Sequence, residues 1–284
     1  MTIIETLNRT TDKLSKISTT PKLDSEILIS HILKEKNRLN LYLNTKSYLN
    51  ASQKKEFDKL ILQRLNDKPI AKIINSKSFW DFDLDVSKKV LIPRPETEIL
   101  IDLVCKNYQK NKKISFLDIG CGSGCISLAL LYNFKYSNGL AIDVSKQAVE
   151  NTFINFKKYF NKNNLKIKRK NIFKFKTNKM FDLIISNPPY LKPYEFSSLS
   201  KSIKNFEPKE ALISNDKKGI MFYKKIIKDF KKNLKLNGLV AFEIGNNQFG
   251  EIKKLLHLNG FCIQDYYRLI DNQVRCLIAK KIKN

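Results

Sequence analysis

From residue 114 onward the sequence alternates short apolar runs with longer amphipathic stretches. Seven runs of six or seven residues predict strands, at 114–119, 139–144, 165–170, 181–186, 238–244, 261–267 and 275–281. Three intervening segments carry apolar residues at helical spacing, at 125–134, 145–160 and 219–234. A regular succession of strand, helix and strand predicts an α/β fold with a parallel, doubly wound sheet. Ligands of such folds bind at the carboxyl ends of the strands.

The first part of the chain has a different pattern. Residues 23–43 and 53–67 place apolar side chains every three to four residues, which is typical of helices, and Pro21 precedes the first segment. Residues 70–86 mix aromatic and β-branched side chains with polar ones, which predicts a hairpin or an extended connector. We therefore predict three parts: a helical bundle over 1–75, a β-hairpin linker over 76–92 and a second domain over 93–284.

The composition is that of a globular protein. Hydrophobic residues make up 42% of the chain, and no apolar stretch approaches the roughly 18 residues of a membrane span. The N-terminus lacks the apolar core and cleavage site of a signal peptide, so we expect a cytoplasmic protein. The net charge of +26 would attract phosphates or an acidic partner. Because lysines occur in every segment, we interpret it as compositional drift, which permits an RNA-bound partner without demonstrating one.

The first strand of the second region leads into a glycine-rich turn, FLDIGCGSGCI at 116–126. Gly120, Gly122 and Gly124 allow a tight bend that brings backbone N–H groups to a ligand at a helix N-terminus. The spacing is not the G-x-G-x-x-G of dinucleotide sites. Asp118, just before the turn, would repel a pyrophosphate but could hold the amino group of an amino-acid ligand.

An acidic residue at the end of the second strand also indicates the kind of ligand. The second strand ends in Asp143. An acidic side chain at this position can accept hydrogen bonds from both ribose hydroxyls of a nucleoside.

The five cysteines show neither C-x-x-C spacing nor a nearby histidine cluster, so we predict neither a disulfide framework nor a metal site. Cys121 and Cys125 fall inside the glycine turn, where a small residue is needed, and we predict reduced thiols there.

The fourth run, FDLIIS at 181–186, continues directly into NPPYLKP. Proline fixes φ, has no N–H group and pushes the preceding residue into an extended conformation. Asn187 and Pro188 each precede a proline and are therefore both constrained. The result is a stiff strand end that presents one amide side chain and bare carbonyl groups, an arrangement suited to holding a ligand.

Together, D-x-G-x-G-x-G at 118–124, the acid at 143 and N-P-P-Y at 187–190 resemble a class I S-adenosylmethionine-dependent methyltransferase of the amino-group type. This resemblance implies a Rossmann-like fold with a seven-stranded, mostly parallel sheet, and S-adenosyl-L-methionine as the cofactor. N-P-P-Y is shared by enzymes that methylate exocyclic amines of adenine or guanine and by enzymes that methylate a glutamine amide. The motif therefore indicates the chemistry and leaves the substrate open.

Longer segments resemble the PrmC/HemK family, the peptide-chain release factor glutamine methyltransferases. VLIPRPETEIL at 90–100 is similar to the family signature, and similarity continues at 23–33, 78–86, 206–227, 238–248 and 275–281. The family layout, a small helical bundle joined by a short hairpin to a methyltransferase domain, agrees with the three predicted parts. The resemblance implies methylation of N5 of the glutamine in the Gly-Gly-Gln motif of class-1 release factors, and release factor recognition by the bundle.

The resemblance also implies which residues form the site. The catalytic residues would be those of N-P-P-Y: Asn187, Pro188, Pro189 and Tyr190. The cofactor-binding residues would be Asp118, Gly120, Cys121, Gly122, Ser123, Gly124, Asp143, Asn171, Ile172 and Asn187. Many relatives carry an acid and a bulky residue where this chain has Asn171 and Ile172, so we expect these two to flank the adenine with an altered affinity.

Two other functions stay open. A nucleobase-amine methyltransferase would more often carry an RNA-binding appendage, and the helical appendage here has no recognisable nucleic-acid motif. A binding protein that kept the fold and lost turnover is disfavoured by the intact glycines, Asp143 and N-P-P-Y. We expect a monomer with a release factor as its substrate, no stable nucleic-acid partner and no membrane partner. For Arg94 we predict an ion pair with Glu96 or Glu98.

Overall fold

The computed structural model describes residues 1–35, 37–43, 47–109 and 112–282. The chain divides into two compact units. Unit 1 comprises Met1–Ser76 with Ser200–Phe206, and unit 2 comprises Lys77–Leu199 with Glu207–Asn284. Within the described ranges no helix combines the length and apolarity that crossing a membrane requires.

Unit 1 is helical. Its helices are α1 (Ile3–Leu14), α2 (Pro21–Leu33), α3 (Asn40–Leu43), α4 (Ala51–Leu65), α5 (Ile70–Ile73) and, from the later segment, α9 (Lys201–Phe206). The pattern over 23–43 thus covers two helices instead of one, because Lys34 adopts a left-handed conformation that ends α2; Lys36 lies outside the described residues. Apolar side chains from α1, α2 and α4 form the core, including Leu14, Leu28 and Phe57.

Two short strands and a helix precede the main sheet. The strands β1 (Ser76–Phe79) and β2 (Phe82–Asp85) pair with each other across a two-residue connection. The sequence pattern over 70–86 therefore contains the predicted hairpin, but its first residues form α5 instead. Helix α6 (Pro95–Asn107) follows, with proline at its first position, where a missing N–H group costs nothing.

The main sheet of unit 2 has seven strands. They are β3 (Ser115–Ile119), β4 (Asn138–Asp143), β5 (Leu165–Arg169), β6 (Phe181–Ser186), β7 (Leu234–Glu243), β8 (Phe261–Arg268) and β9 (Val274–Lys281), in the order β5-β4-β3-β6-β7-β9-β8. The first five pair in parallel, whereas β9 runs antiparallel to both β7 and β8. This confirms the predicted α/β class with a mostly parallel sheet.

Helices cover both faces of this sheet. They are α7 (Cys125–Asn133), α8 (Lys146–Tyr159), α10 (Met221–Asp229) and α11 (Phe249–Leu258), together with α6. Successive residues of a strand point to opposite faces, so Leu183 joins the core formed with α6 and α7, and Ile184 joins the core formed with α10 and α11.

Strand β7 begins four residues earlier than the apolar run at 238–244 predicts. Its pairing with β6 jumps from Phe181 opposite Leu234 to Leu183 opposite Leu239, which is a bulge. Asn237 lies in the bulge at a φ of 62°. The predicted helix over 219–234 is shorter in the structure, since α10 ends at Asp229 and the chain then enters a 3-10 turn and β7.

The strand order reverses direction between β3 and β6. From β3 the chain continues outward through β4 and β5, while β6 continues on the other side to β7. Such a switch point leaves a crevice at the carboxyl ends of the two neighbouring strands. The Ser186 hydroxyl donates to the Ile119 carbonyl at 2.7 Å and ties these two strand ends together. The glycine turn and N-P-P-Y therefore begin side by side.

Candidate active site

A cavity of about 770 Å³ opens in unit 2 at this edge of the sheet. Ten of the predicted site residues line it: Gly120, Cys121, Gly122, Ser123, Asp143, Asn171, Ile172, Asn187, Pro188 and Pro189. Among the described residues, the predicted members that do not line it are Asp118, Gly124 and Tyr190. The size is in the ordinary range for a small-molecule site.

The glycine turn is attached to strand β4 and helix α8. The N–H groups of Gly120 and Cys121 both donate to the Ile142 carbonyl, at 2.8 and 3.1 Å. Gly124 has a φ of 85°, and a Cβ there would lie 2.9 Å from Cγ2 of Thr152. Only glycine permits both this conformation and this close packing. The turn is therefore held rigidly beside the cavity.

The two cysteines of the turn are buried, reduced thiols. Burial raises the pKa of Cys125 to about 12. The Thr152 hydroxyl lies 3.3 Å from Cys121 Sγ and donates to it. Because the thiolate is the reactive form, these side chains serve as small packing groups in the cavity wall.

Asp143 presents a carboxylate to the cavity. Its Oδ2 accepts from the Gly122 N–H at 3.1 Å, and its Oδ1 accepts from the Ser145 N–H at 2.9 Å. Burial raises the pKa of Asp143, while the N–H donors of Ser145 and Gly122 oppose the rise. Each oxygen keeps a free lone pair, so the carboxylate can still accept hydrogen bonds from a pair of hydroxyl groups.

Asp118 lies behind the turn and is completely buried. The Ser127 hydroxyl donates to its Oδ2 at 2.6 Å, and its Oδ1 has no hydrogen-bond partner within the described part of the chain. Burial raises the pKa of Asp118 to about 7, and the Asp143 charge adds to the rise. Asp118 thus supports the turn from behind, and its Oδ1 is buried away from the cavity lining.

The pKa of Asp118 predicts a pH-dependent stability. Its value of about 7 exceeds the usual 3.8, so between these pH values the folded protein binds more protons than the unfolded chain. Stability therefore falls as the pH rises through this window, by up to about 1.4 kcal/mol per pH unit from this group. Asp118→Asn should remove that contribution to the slope, measured by urea unfolding from pH 4.5 to 7.5. An identical slope in the variant would contradict the prediction.

The opposite wall of the cavity carries the residues predicted to flank an adenine. Ile172 is buried and apolar, whereas Asn171 is exposed and its Oδ1 accepts from the Phe173 N–H at 2.9 Å. Phe173 and Phe222 also line the cavity, with ring centroids 5.5 Å apart. These two rings are not among the residues predicted from the sequence, although Phe173 directly follows the predicted pair.

Asn187 is oriented by two partners, Glu243 and Thr97, and Thr97 also lines the cavity. Its Nδ2 donates to Glu243 Oε2 at 2.7 Å and to Thr97 Oγ1 at 3.2 Å. The Thr97 hydroxyl in turn donates to Glu243 Oε2 at 2.6 Å. An amide oxygen lies opposite its NH₂ group, so Oδ1 of Asn187 is left as an acceptor for a ligand in the cavity.

The same carboxylate is linked to Tyr190 through an arginine. Glu243 is completely buried, and its Oε1 lies 3.3 Å from Nη2 of Arg275. Arg275 donates to the Tyr190 hydroxyl at 2.6 Å and to the Ile244 carbonyl at 3.2 Å. Burial raises the pKa of Glu243, and the charge of Arg275 opposes the rise. The sequence offered one signal, a glutamate inside the apolar run GLVAFEI.

The backbone of N-P-P-Y is held from its other end by Gln248. The Gln248 Nε2 donates to the carbonyls of Tyr190, Gly219 and Lys218, at 2.9, 3.1 and 3.2 Å. Its Oε1 accepts from the Gly245 N–H at 3.0 Å. The buried Gln248 side chain therefore links the end of N-P-P-Y to two other segments of the chain, at 218–219 and at Gly245.

Arg94 forms an ion pair, but with a different partner from the predicted ones. Its guanidinium donates to the buried carboxylate of Glu207, which also accepts from the Ile92 N–H. The prediction of Glu96 or Glu98 was wrong because the two segments of chain that meet here are more than a hundred residues apart, and Glu98 instead accepts from the Trp80 N–H. Arg94 also lines the cavity.

Two family models match the chain. A methyltransferase small domain matches residues 95–204, and a PrmC N-terminal domain matches residues 5–74. A methyltransferase structure from Pyrococcus furiosus covers 78% of the chain and 98% of its own length, with a TM-score of 0.54 and 21% identity. At that identity the structural likeness supports the fold alone.

Curated relatives align over almost the whole chain. A release factor glutamine methyltransferase of Fusobacterium nucleatum is 33% identical over 98% of this chain and 78% of its own length. A bifunctional methyltransferase of Rickettsia conorii is 30% identical over 99% of this chain, but the chain spans only 58% of that protein. With the N-terminal domain match and this end-to-end similarity, the chain belongs to the PrmC family of release factor glutamine methyltransferases.

Proposed function

We propose that the chain transfers a methyl group from S-adenosyl-L-methionine to the side-chain amide nitrogen, N5, of the glutamine in the Gly-Gly-Gln motif of class-1 peptide chain release factors. The observation that carries this proposal is the fixed amide of Asn187, whose oxygen is left free at the cavity that the glycine turn and Asp143 also line. Family membership supports the same substrate class.

The walls of the cavity fit the cofactor. The free lone pairs of Asp143 suit two ribose hydroxyls, and Ile172 with Asn171 suits an adenine ring and its amino group. Gly120 and Gly122 allow close backbone approach. The role of Asp118 towards an amino group stays a prediction, because among the described residues Asp118 is not one that lines the cavity. The bound cofactor supplies a methyl group on a positive sulfur, an electrophile.

The protein's contribution is to orient the nucleophile. An amide nitrogen reacts poorly because its lone pair is delocalised into its carbonyl group. We assign the Asn187 Oδ1 and the Pro188 carbonyl to accept one N–H of the target amide each, which fixes the direction of the nitrogen lone pair. Orientation of this kind can supply several kcal/mol of the barrier. The methylated nitrogen then loses its proton to water, so no dedicated base is required.

The Tyr190 side chain contacts Arg275 and is not a free aromatic ring in the cavity wall. Its ring lies 4.9 Å from Cζ of Arg275 and its hydroxyl accepts from that residue. We therefore assign Tyr190 to fixing the backbone of the motif, and its predicted packing against the target amide stays a prediction. Pro189 serves the same purpose through its fixed φ.

The three predicted parts of the chain have separate roles in this proposal. We propose that the bundle over 1–75 recognises the release factor, that 76–92 acts as a linker and that 93–284 carries the transferase activity. We also propose a cytoplasmic monomer with no stable nucleic-acid partner and no membrane partner. Light scattering of the purified chain, alone and with added RNA, tests the oligomeric state and the nucleic-acid partner.

The function is tested by parallel assays with two different substrates. The purified chain is mixed with S-adenosylmethionine and, in parallel, with a class-1 release factor or total RNA, and the added methyl group is mapped by mass spectrometry. A methyl group on the glutamine of Gly-Gly-Gln supports the proposal. A methyl group on RNA alone would reassign the enzyme to the nucleobase-amine methyltransferases.

The assignment of Asp143 predicts a defect confined to cofactor binding. In Asp143→Asn one carboxylate oxygen becomes an NH₂ group, which cannot accept from a hydroxyl, and the charge is lost. Hydrogen bonds to charged groups contribute about 1.5–3 kcal/mol, so the affinity for S-adenosylhomocysteine should fall about 10- to 150-fold by calorimetry. Asp58→Asn, at the exposed ion pair with Lys54, is the matched control. Equal affinities of the Asp143 variant and the wild type would exclude the assignment.

A further inference from the structure

The amide of Asn187 has two orientations of nearly the same shape, related by a half-turn that exchanges its oxygen and nitrogen. Only one of them offers an acceptor to the cavity. A flipped side chain would present NH₂ to the N–H groups of a target amide, and two donors repel each other. The orientation must therefore be selected by groups on the far side of the amide.

Two such groups exist, and both accept. Glu243 Oε2 is a carboxylate oxygen and has no hydrogen to donate when ionised. Thr97 could donate, but its one hydroxyl hydrogen is already directed at Glu243, at 2.6 Å. Both oxygens therefore face Asn187 with lone pairs, and Nδ2 of the Asn187 amide donates to both. The flipped orientation would place a third oxygen against these two.

The carboxylate is itself held in place beside a cation. Glu243 lies at the end of β7 with none of its surface exposed, where an unpaired charge would be very unfavourable. Arg275 on the neighbouring strand β9 faces Oε1, while Oε2 faces Thr97 and Asn187. The two oxygens thus have distinct neighbours, a donor-only guanidinium on one side and the hydroxyl and amide on the other.

We propose that Glu243 is a positioning residue that, with Thr97, selects the orientation of the Asn187 amide in which Oδ1 faces the cavity. Glu243 acts through Asn187 and does not itself line the cavity, within the residues that the structure describes. The inference rests on the proposed function, because the value of an acceptor at this point depends on a target that carries N–H groups.

Glu243→Gln tests the proposal with almost no change of volume. The glutamine oxygen takes the place of Oε1, because Arg275 can only donate, and its NH₂ group then faces Asn187. Asn187 should flip and present NH₂ to the cavity. We expect kcat to fall at least about 100-fold while KM for the release factor and the affinity for S-adenosylhomocysteine change less than about threefold. Glu251→Gln, at an exposed ion pair with Lys218, is the matched control.

A second substitution should restore an acceptor. In the double variant Glu243→Gln/Asn187→Asp, the glutamine NH₂ group donates to one oxygen of the carboxylate introduced at position 187 and leaves the other oxygen facing the cavity, with the net charge unchanged. Asn187→Asp alone places two carboxylates in contact. We expect the double variant to be at least about tenfold more active than either single variant, a sign of coupling that loss of stability cannot produce. A double variant no better than the worse single one would overturn the proposal.

One readout does not depend on any substrate. The side-chain amide signal of Asn187, assigned in ¹⁵N spectra by its loss in Asn187→Asp, should show slow hydrogen exchange in the wild type and fast exchange in Glu243→Gln. Equal exchange rates would overturn the proposal even if the enzyme acts on another substrate. Conversely, a wild type that fails to methylate a release factor but shows the slow exchange would contradict only the proposed function. If Glu243→Gln does not fold, the same measurement is made on Thr97→Val. Hydrogen exchange of the Asn187 side-chain amide should be faster in that variant than in the wild type, and an equal rate would overturn the proposal.

Discussion

Asn187→Ala is expected to abolish methyl transfer while the protein still binds its cofactor. The substitution removes the Oδ1 acceptor and leaves the Pro188 carbonyl as the one remaining assigned acceptor, so the target nitrogen can rotate away from the reactive direction. Loss of orientation on this scale should lower kcat at least about 1000-fold. The measurement is single-turnover transfer to a purified release factor at saturating S-adenosylmethionine, followed by mass spectrometry.

The binding measurement separates this result from a general defect. Asn187 donates to Glu243 and Thr97, so alanine leaves a buried carboxylate with one partner fewer, and some loss of stability is expected. Cofactor affinity, by calorimetry with S-adenosylhomocysteine, should stay within about threefold, because Asp143 and the glycine turn are untouched. The exposed Asn161→Ala serves as the control. Transfer by Asn187→Ala at a tenth of the wild-type rate or faster would exclude the mechanism.

The sequence predicted the sheet well because a buried strand needs a continuous apolar run. FDLIIS at 181–186 coincides with β6. Of the other six runs, four overlap a strand in all but one residue and two lie wholly within a strand. The wrongly predicted element boundaries lie where the backbone conformation of a single residue ends or begins the element. A left-handed Lys34 ends α2 within a helical pattern, and the bulge at Asn237 lets β7 start at the buried Leu234, ahead of an exposed stretch at 235–237. Neither residue is a glycine, so neither break was visible in the pattern.

The candidate site was predictable wherever its residues are contiguous. The glycine turn and N-P-P-Y each follow a strand, and parallel strands bring their carboxyl ends to one edge, so two motifs far apart in the chain could be placed together. Tyr190 shows the limit. Its motif suggested a wall of the cavity, but Arg275, from the last strand of the chain, takes up its hydroxyl and its ring.

The groups that orient the site were not predictable, because each contact joins distant parts of the chain. Thr97 and Glu243 are 146 residues apart, and Arg94 and Glu207 are 113 apart. No local period or spacing encodes such pairs. The available signal was a charged side chain inside an otherwise apolar run or beside one, since an ionised group is buried at the end of a strand only with partners. Glu243 satisfies that criterion.

The second large effect is expected at a glycine outside both motifs. Gly219 has a φ of 71°, and a Cβ there would lie 2.3 Å from the Tyr190 carbonyl oxygen and 2.4 Å from Gln248 Nε2. Gly219→Ala must therefore displace the backbone of N-P-P-Y and break the contact by which Gln248 holds it. Left-handed backbone costs an alanine about 1–2 kcal/mol, and overpacking adds about 1–3 kcal/mol, so we expect a loss of about 2–5 kcal/mol in the free energy of unfolding.

The same displacement should reduce catalysis beyond what lost stability explains. Tyr190 follows the two prolines, so a shift at its carbonyl is transmitted through a stiff segment to Pro188 and Asn187. A misplacement of about 1 Å can cost about 100-fold in rate, and we expect kcat of the folded variant to fall by that order. Gly250→Ala is the matched control, because among the described residues an added Cβ there would meet nothing within 4 Å apart from its chain neighbours and the backbone of its own helix. A Gly219→Ala variant that lost stability but kept its kcat would contradict this prediction. It would mean that catalysis does not depend on rigid support of the Asn187 and Pro188 acceptors.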